Sequence, residues 1–492
     1  MADEPGVLYD EVPYPGRPFD QTHPDRLATL GRLYGLRSAA PSRCRLLELG
    51  CGDGGNLLPM ACTLPASQFV GVDVSQRAVA AARARTEELG IDNVRFEESS
   101  LADFAPEPGS FDFVIAHGVY SWVDEPVRDA LMAVSARALA EQGVAYVSYN
   151  TLPGGRLRDI LRDILRSHVD PTDAPQRQLA SAREMLAVLQ AAWAYDTELH
   201  TLGSLAAKML DDSDALLFHD TLAPVNARLH FEQFTEHAAG HGLQFLAEAN
   251  FWEMQVGWLP HELRDGVLAT DDRLRREQLL DQLRMRTFRQ TLLCHASNAL
   301  DDTPPLDRLA TLAVSAQAQA SAAQPDGRVT FTGANGSNLT TDHGVVIAAL
   351  ERVIAAWPAI LPIAELWPSD ALAEDRQIVC EALLRCYSAA LASVHAEPAA
   401  FGTSAATHPR VTAMARLQAR EGALVANLRH DAVTLDDPAR ALVMLLDGTR
   451  DRAALLAGLA DAVEGPVARS ELALWLERSL TQLAQSALLL AS

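Results

Sequence analysis

Glu48, Gly50, Cys51, Gly52, Asp53, Gly54, Gly55 and Asn56 are the densest run of chemically suggestive residues in the chain. They follow the apolar pair Leu46-Leu47 and precede Leu57-Leu58-Pro59-Met60-Ala61, an order that reads as strand, tight turn, helix. Glycine in such a turn admits left-handed backbone angles and lets a ligand lie against the main chain. Asp73, with Val74 after it, ends the next apolar run about twenty residues on, where a carboxylate is placed to accept hydrogen bonds from a ribose.

A loop of this kind serves dinucleotides in many proteins, but Glu48 and Asp53 would set negative charge against a pyrophosphate. A cofactor bearing a sulfonium and an ammonium suits those acids, so the loop favours S-adenosylmethionine over a dinucleotide. On this reading Asp73 binds the ribose, Glu48 orients the methionine end, and Gly50, Cys51, Gly52 and Asn56 lie close to the cofactor. Ser100 and Leu101 follow the third strand, where adenine is recognised, and Asp103 either assists or caps a turn. The segment His117-Gly118-Val119-Tyr120-Ser121-Trp122-Val123 forms an aromatic mouth. His117 and Tyr120 are candidates to line the site, although Val119, Trp122 and Val123 serve equally as anchors for the next helix. Asn150, in Tyr149-Asn150-Thr151, is placed to orient an amine or a carbonyl, while Pro153 and Gly154 turn the chain.

The elements that must hold these residues alternate. Strands are expected at 46–49, 69–73, 94–96, 111–116 and 143–149, with helices at 24–36, 78–89 and 126–140. That alternation implies a mainly parallel sheet with both faces covered, whose ligands sit beyond the carboxyl ends of the strands. Residues 157–240 read as helices, including one over 178–202, and 260–286 as a second helical insertion. Strands six and seven follow at 243–248 and 288–295. The fold class is therefore α/β, a Rossmann-like seven-stranded domain over 1–300 with helical insertions at 157–240 and 260–286. Residues 301–341, rich in Ala, Gln, Gly, Asn, Asp and Thr, form a boundary region with a short strand at 329–332. Residues 342–492 mix helices with short strands, as a winged-helix-like α+β domain would.

Bulk properties agree with a multidomain globular chain. It has 492 residues, 48% hydrophobic and 21% charged. The 64 acidic side chains against 41 basic ones give a net charge of -23, which makes nucleic acid an unlikely partner. The six cysteines are scattered and the histidines look isolated, so no metal is expected and the thiols read as reduced. An acidic start without an apolar signal core and the lack of a membrane-length apolar run point to a cytoplasmic protein without a transmembrane segment.

These motifs resemble class I S-adenosylmethionine-dependent methyltransferases, and the whole chain resembles the bacterial group carrying a methyltransferase regulatory domain. That group includes lysine methyltransferases of outer-membrane proteins. The resemblance rests on Tyr9-Asp10-Glu11-Val12-Pro13-Tyr14, Phe19 with Thr22-His23-Pro24, and Glu48 to Asn56. It continues through Ser148-Tyr149-Asn150, Phe231 with Phe234, His241-Gly242-Leu243 and residues 288–295, then Asn427-Leu428-Arg429-His430 and Asp447-Gly448-Thr449-Arg450. It implies an N-terminal arm that covers the cofactor, a helical region near the substrate channel and a C-terminal winged helix.

The expected reaction is direct methyl transfer from S-adenosylmethionine to a protein lysine, leaving S-adenosylhomocysteine and needing no metal. Tyr14, His117, Tyr120 and Asn150 are the candidate catalytic residues. A protein or peptide substrate is expected, and a homodimer is among the possibilities for assembly. The alternatives are a small-molecule or natural-product methyltransferase, and a cofactor-sensing interaction protein.

Overall fold

The computed structural model describes residue 12, residues 16–462 and residues 469–491. Seven strands form one sheet: β1 (Arg45–Leu49), β2 (Gln68–Asp73), β3 (Val94–Glu98), β4 (Phe111–Ala116), β5 (Leu139–Asn150), β6 (Leu243–Glu248) and β7 (Phe288–His295). Their order is β3-β2-β1-β4-β5-β7-β6. The first five run parallel, and β7 is antiparallel to both of its neighbours. Leu46, Leu47 and Leu49, Phe113 to Ala116 and Val144 to Val147 are buried, so these strands are apolar without alternation, as in a sheet covered on both faces. β1 lies between β2 and β4, where the strand order reverses, and the glycine loop, Asp73 and His117 follow the carboxyl ends of these three strands.

The helices follow the expected order, with differences that have local causes. The helix expected over 178–202 is two, Pro175–Trp193 and His200–Leu210. Between them the Asp196 carboxylate accepts the N–H groups of Glu198 and Leu199, both at 2.8 Å, and starts a new helix. Together with Gly155–His168 and the π-helical turn Leu217–Leu222, these helices bury Leu161, Leu165, Leu186, Met209 and Leu217 in a core of their own. The helix Phe231–Gly240 instead belongs to the sheet, since Phe234 stacks on Tyr149 with ring centroids 3.9 Å apart.

Residues 301–341 contain more structure than their composition suggests. Strands Ala318–Ala320, Val329–Gly333 and Asn338–Thr341 form an antiparallel sheet, and Ala313–Ser315 pairs with Leu361–Pro362 and Ser393–His395. Leu309, Val314 and Phe331 are buried in the same apolar cluster as Leu46, Phe113 and Tyr146 of the large sheet and Phe251 beside it. Tyr387 stacks flat on Phe251 in that cluster, 4.6 Å between centroids. A separate cluster runs from Val411 to Leu489, built by helices Ala413–Glu421, Asp437–Leu445, Arg452–Ala462 and Arg469–Gln485 around the hairpin Leu424–Ala426 and Ala432–Thr434. The helix Asp437–Leu445 has no counterpart among the expected elements. Its start is marked by Asp436, whose carboxylate accepts the Ala439 N–H, and by Pro438 in the first turn.

Strands β6 and β7 are tied to the helix Arg273–Arg284 by a buried guanidinium. Arg289 bonds Asp281 through Nε and Nη2, both at 2.8 Å, contacts Glu248 and Glu277, and lies over the Phe231 ring. Removing it leaves the buried carboxylates of Glu248, Glu277 and Asp281 with Arg286 as their remaining nearby cation among the described residues. Arg289→Met is expected to destabilise the chain by about 3–5 kcal/mol, read as a lowered urea midpoint, and an unchanged midpoint would contradict this role.

Candidate active site

The glycine loop is shaped by backbone angles that side chains resist. Gly50 has φ +75°, and a methyl group there would stand 2.3 Å from Val119 Cγ2. Gly52 has φ +52° with open space where a side chain would project. Its N–H donates to Asp73 Oδ2 at 2.8 Å, while the Ser75 N–H donates to Asp73 Oδ1 at 2.9 Å, so two backbone groups orient the carboxylate that ends β2. Asp53 accepts the Gly55 N–H and pairs with Arg85 at 2.6 Å. Its charge is thus balanced within the protein, and it braces the loop from the side of the helix Gln76–Leu89.

Glu48 and Asn56 form the buried floor. Glu48 is 3% exposed and Asn56 4%. Asn56 Nδ2 donates to Glu48 Oε1 at 2.7 Å and to Thr22 Oγ1 at 3.0 Å. Asn56 Oδ1 accepts the Phe19 N–H at 3.0 Å and lies 2.8 Å from His430 Nε2. Asn56, expected beside the cofactor, joins the segment before the first helix, the acid at the end of β1 and the C-terminal part of the chain. Burial pushes the Glu48 carboxyl up to about 8, with Asn56 opposing and Asp73 and Asp53 adding to the rise. Residues 16–22 strap this loop: a methyl group on Gly55 would stand 2.5 Å from Gly16 Cα, and Phe19 packs on His117 with centroids 3.8 Å apart.

The predicted mouth residues separate into two groups. His117 lies under Phe19 with Nδ1 2.9 Å from the Tyr146 hydroxyl, and burial pushes it down to about 3, so the ring is neutral. Asn150 donates its backbone N–H to Ser121 Oγ and its Nδ2 to Asn226 Oδ1 at 2.9 Å. Asn226 Nδ2 is buried without a partner among the described residues. Tyr120 points elsewhere: its hydroxyl is 2.7 Å from His237 Nδ1 and its ring packs on Phe234 and Tyr149. Burial raises the Tyr120 hydroxyl to about 12. On the other side of the loop Val74 is 50% exposed beside Asp73, and Cys51 is buried. Ser100 Oγ donates to Asp103 Oδ2 at 2.6 Å and accepts the Asp103 N–H, closing a turn around half-buried Leu101. Tyr14 lies outside the described residues. Thr22, Asn226 and His430 were not singled out as site residues; Thr22 and His430 stood only in the motifs that carried the resemblance.

The group implied by this loop is S-adenosylmethionine, and the residues fit it. Glu48 Oε2 is buried without a partner among the described residues, and open space lies beside Gly52. A lone buried carboxylate oxygen suits an ammonium donor.

Comparison with known proteins agrees. Residues 46–143 match the family described as "Methyltransferase domain", residues 213–295 the "Predicted methyltransferase regulatory domain", and residues 408–467 the "PKMT, C-terminal winged helix domain". One uncharacterized protein of Rickettsia prowazekii is 38% identical over 292 residues, 58% of this chain and 52% of the relative, so the match spans about half of that protein's length. A second from the same organism is 33% identical over 234 residues, 47% of this chain and 94% of the relative. The chain belongs to the class I S-adenosylmethionine-dependent methyltransferases with a regulatory domain. Its fold matches PKMT2 from Rickettsia typhi in complex with AdoHcy, with TM-score 0.86 and 23% identity over 97% of this chain and 100% of that one. The methyltransferase thus has the Rossmann-like sheet, the helical insertions and the C-terminal winged helix. Among its described residues no helix is long and apolar enough to cross a membrane.

A Glu48 carboxyl raised by burial makes its attraction for any ammonium bound against it depend on pH. The group is protonated below about 8 and gains charge as pH rises through that value, so attraction to an ammonium grows. Affinity for S-adenosylmethionine is expected to rise from pH 6.5 toward about 8, where the ligand's own ammonium begins to lose its proton, and the rise is expected to be smaller in Glu48→Gln. Titration calorimetry checks this, and an identical pH profile in the variant would contradict it.

Proposed function

We propose that this methyltransferase methylates lysine side chains of proteins. The observation that carries the reading is the match of residues 408–467 to the PKMT winged-helix family, which we read as protein lysine methyltransferase, together with a likeness in fold along nearly the whole chain to PKMT2. In our reading Asp73 and Val74 hold the adenosine, with Ser100 and Leu101 at the adenine edge. Glu48 holds the amino-acid end, and the backbone of Gly50, Cys51 and Gly52 lines the cofactor. S-adenosylmethionine supplies an electrophilic methyl group on a sulfonium when bound.

The chain's own residues supply alignment and exclusion of water. The strap over 16–22 and the Phe19–His117 contact close one side of the mouth. Because burial keeps His117 neutral and its Nδ1 is held by Tyr146, we assign it to lining the site and not to proton transfer. Asn150 and Asn226 place amide groups where an amine or a peptide carbonyl is to be oriented. Tyr120, engaged by His237, buttresses that wall from behind. The acceptor lysine must be neutral to attack, and a desolvating channel lowers its pKa. We read the domain division as a catalytic unit over 1–300, a layer over 301–410 that shares its apolar core, and the winged helix over 411–491.

Incubation of the protein with methyl-labelled S-adenosylmethionine and fractionated cell lysate checks the substrate class. Label is expected on lysines of protein fractions. Label confined to small molecules would contradict the reading, and Asp73→Ala is expected to weaken cofactor binding by at least about tenfold through loss of a charged hydrogen-bond acceptor.

A further inference from the structure

Two imidazoles and a carboxylate converge on the protein surface behind the mouth. His237 lies in the helix Phe231–Gly240 and His241 is that helix's C-cap, four residues on and therefore on the same face. Both direct Nε2 at Oδ1 of Asp129 in the helix Glu125–Ala138, at 3.5 Å and 2.9 Å, and the three ligand atoms lie within 4.8 Å of one another. We propose that Asp129, His237 and His241 bind a first-row divalent transition ion, zinc by preference, that clamps these two helices together.

The geometry suits that ion. Bonds of about 2.0–2.1 Å in a tetrahedron place ligand atoms roughly 3.4 Å apart, which the two Asp129 contacts bracket. Two imidazole nitrogens with one carboxylate select zinc, nickel, cobalt or copper over magnesium and calcium, which prefer oxygen. His237 has the outer support that ligand histidines use: Nδ1 is 2.7 Å from the Tyr120 hydroxyl, which fixes the ring with Nε2 toward Asp129. Phe231 and Phe234 are fully buried, so the helix that carries the histidines is rigidly seated. Asp129 is largely exposed, so water or a partner's side chain completes the coordination.

Binding of the ion fixes one proton beside the site. Metal at Nε2 of His237 requires the ring proton on Nδ1, which then donates to the Tyr120 oxygen. Tyr120 sits one residue after Val119, whose side chain packs at Gly50 in the cofactor loop. Methyl transfer itself is not routed through the site.

The test is zinc titration of the full chain by calorimetry, with cobalt as a visible-absorption probe. One equivalent is expected to bind, and His241→Ala and Asp129→Ala are each expected to weaken it by at least about tenfold while S-adenosylmethionine affinity is unchanged. Zinc is expected to raise the melting temperature of the wild-type chain and not of His241→Ala. Absence of stoichiometric binding, or binding in the two variants as tight as in the wild-type chain, would overturn the site, and the second result would point to other histidines. Neither result bears on the methyl-transfer reading, because the titration needs no acceptor.

Discussion

The side-chain amide of Asn56 is the point at which Glu48, the segment before the first helix and the C-terminal part of the chain are held together. Its two ends are not interchangeable: Nδ2 serves Glu48 and Thr22, while Oδ1 meets the Phe19 N–H and His430 Nε2. A flip would set donors against donors and leave the Glu48 carboxyl without the one hydrogen-bond partner it has among the described residues. In a buried site each such loss costs about 1–3 kcal/mol, which is enough to hold one orientation. Burial also pushes the His430 imidazole well below its ordinary pKa, so the ring is neutral and the nitrogen facing Asn56 carries its single proton.

His430 is aimed from a tight turn with φ +67°, an angle uncommon for a side-chain-bearing residue. Asn427 holds that turn, since its Oδ1 accepts the N–H groups of Arg429 and Asp431 and its Nδ2 donates to Ser486 O. Arg429 then reaches Ser315 Oγ and lies over Trp357. Further along the same contact, Arg85 bridges Asp53 of the glycine loop and Glu421, and Arg420 pairs with Glu88. The winged helix is therefore joined to the glycine loop at both Asn56 and Asp53. Its contribution to this region is structural continuity with the floor formed by Glu48 and Asn56.

The sheet and the loop were legible in the sequence because their signals are local. Strands buried on both faces are continuous apolar runs, and a turn such as Gly50 to Gly55 announces its backbone angles by composition. Glu48 lies near the end of β1, Asp73 ends β2 and Gly52 lies in the loop between β1 and the next helix, each on the element expected for it. What stayed hidden depends on residues far apart in the chain. His430 and Asn56 are separated by 374 positions, so neither residue type nor spacing reveals their bond. Tyr120 was expected at the mouth, but Phe234 and His237 of a later helix draw it into the core. The polar composition of 301–341 disclosed only the strand at 329–332; Ala313–Ser315, Ala318–Ala320 and Asn338–Thr341 carry few large apolar residues, of which Val314 is buried.

The most direct measurement is the affinity for S-adenosylmethionine across a double-mutant cycle of His430→Ala and Asn56→Ala. If the winged helix holds the cofactor floor through this bond, His430→Ala alone weakens binding by about tenfold and the double variant loses little beyond Asn56→Ala. Unchanged affinity in His430→Ala, or losses that simply add, would show that the two parts of the chain touch at Asn56 without supporting the pocket.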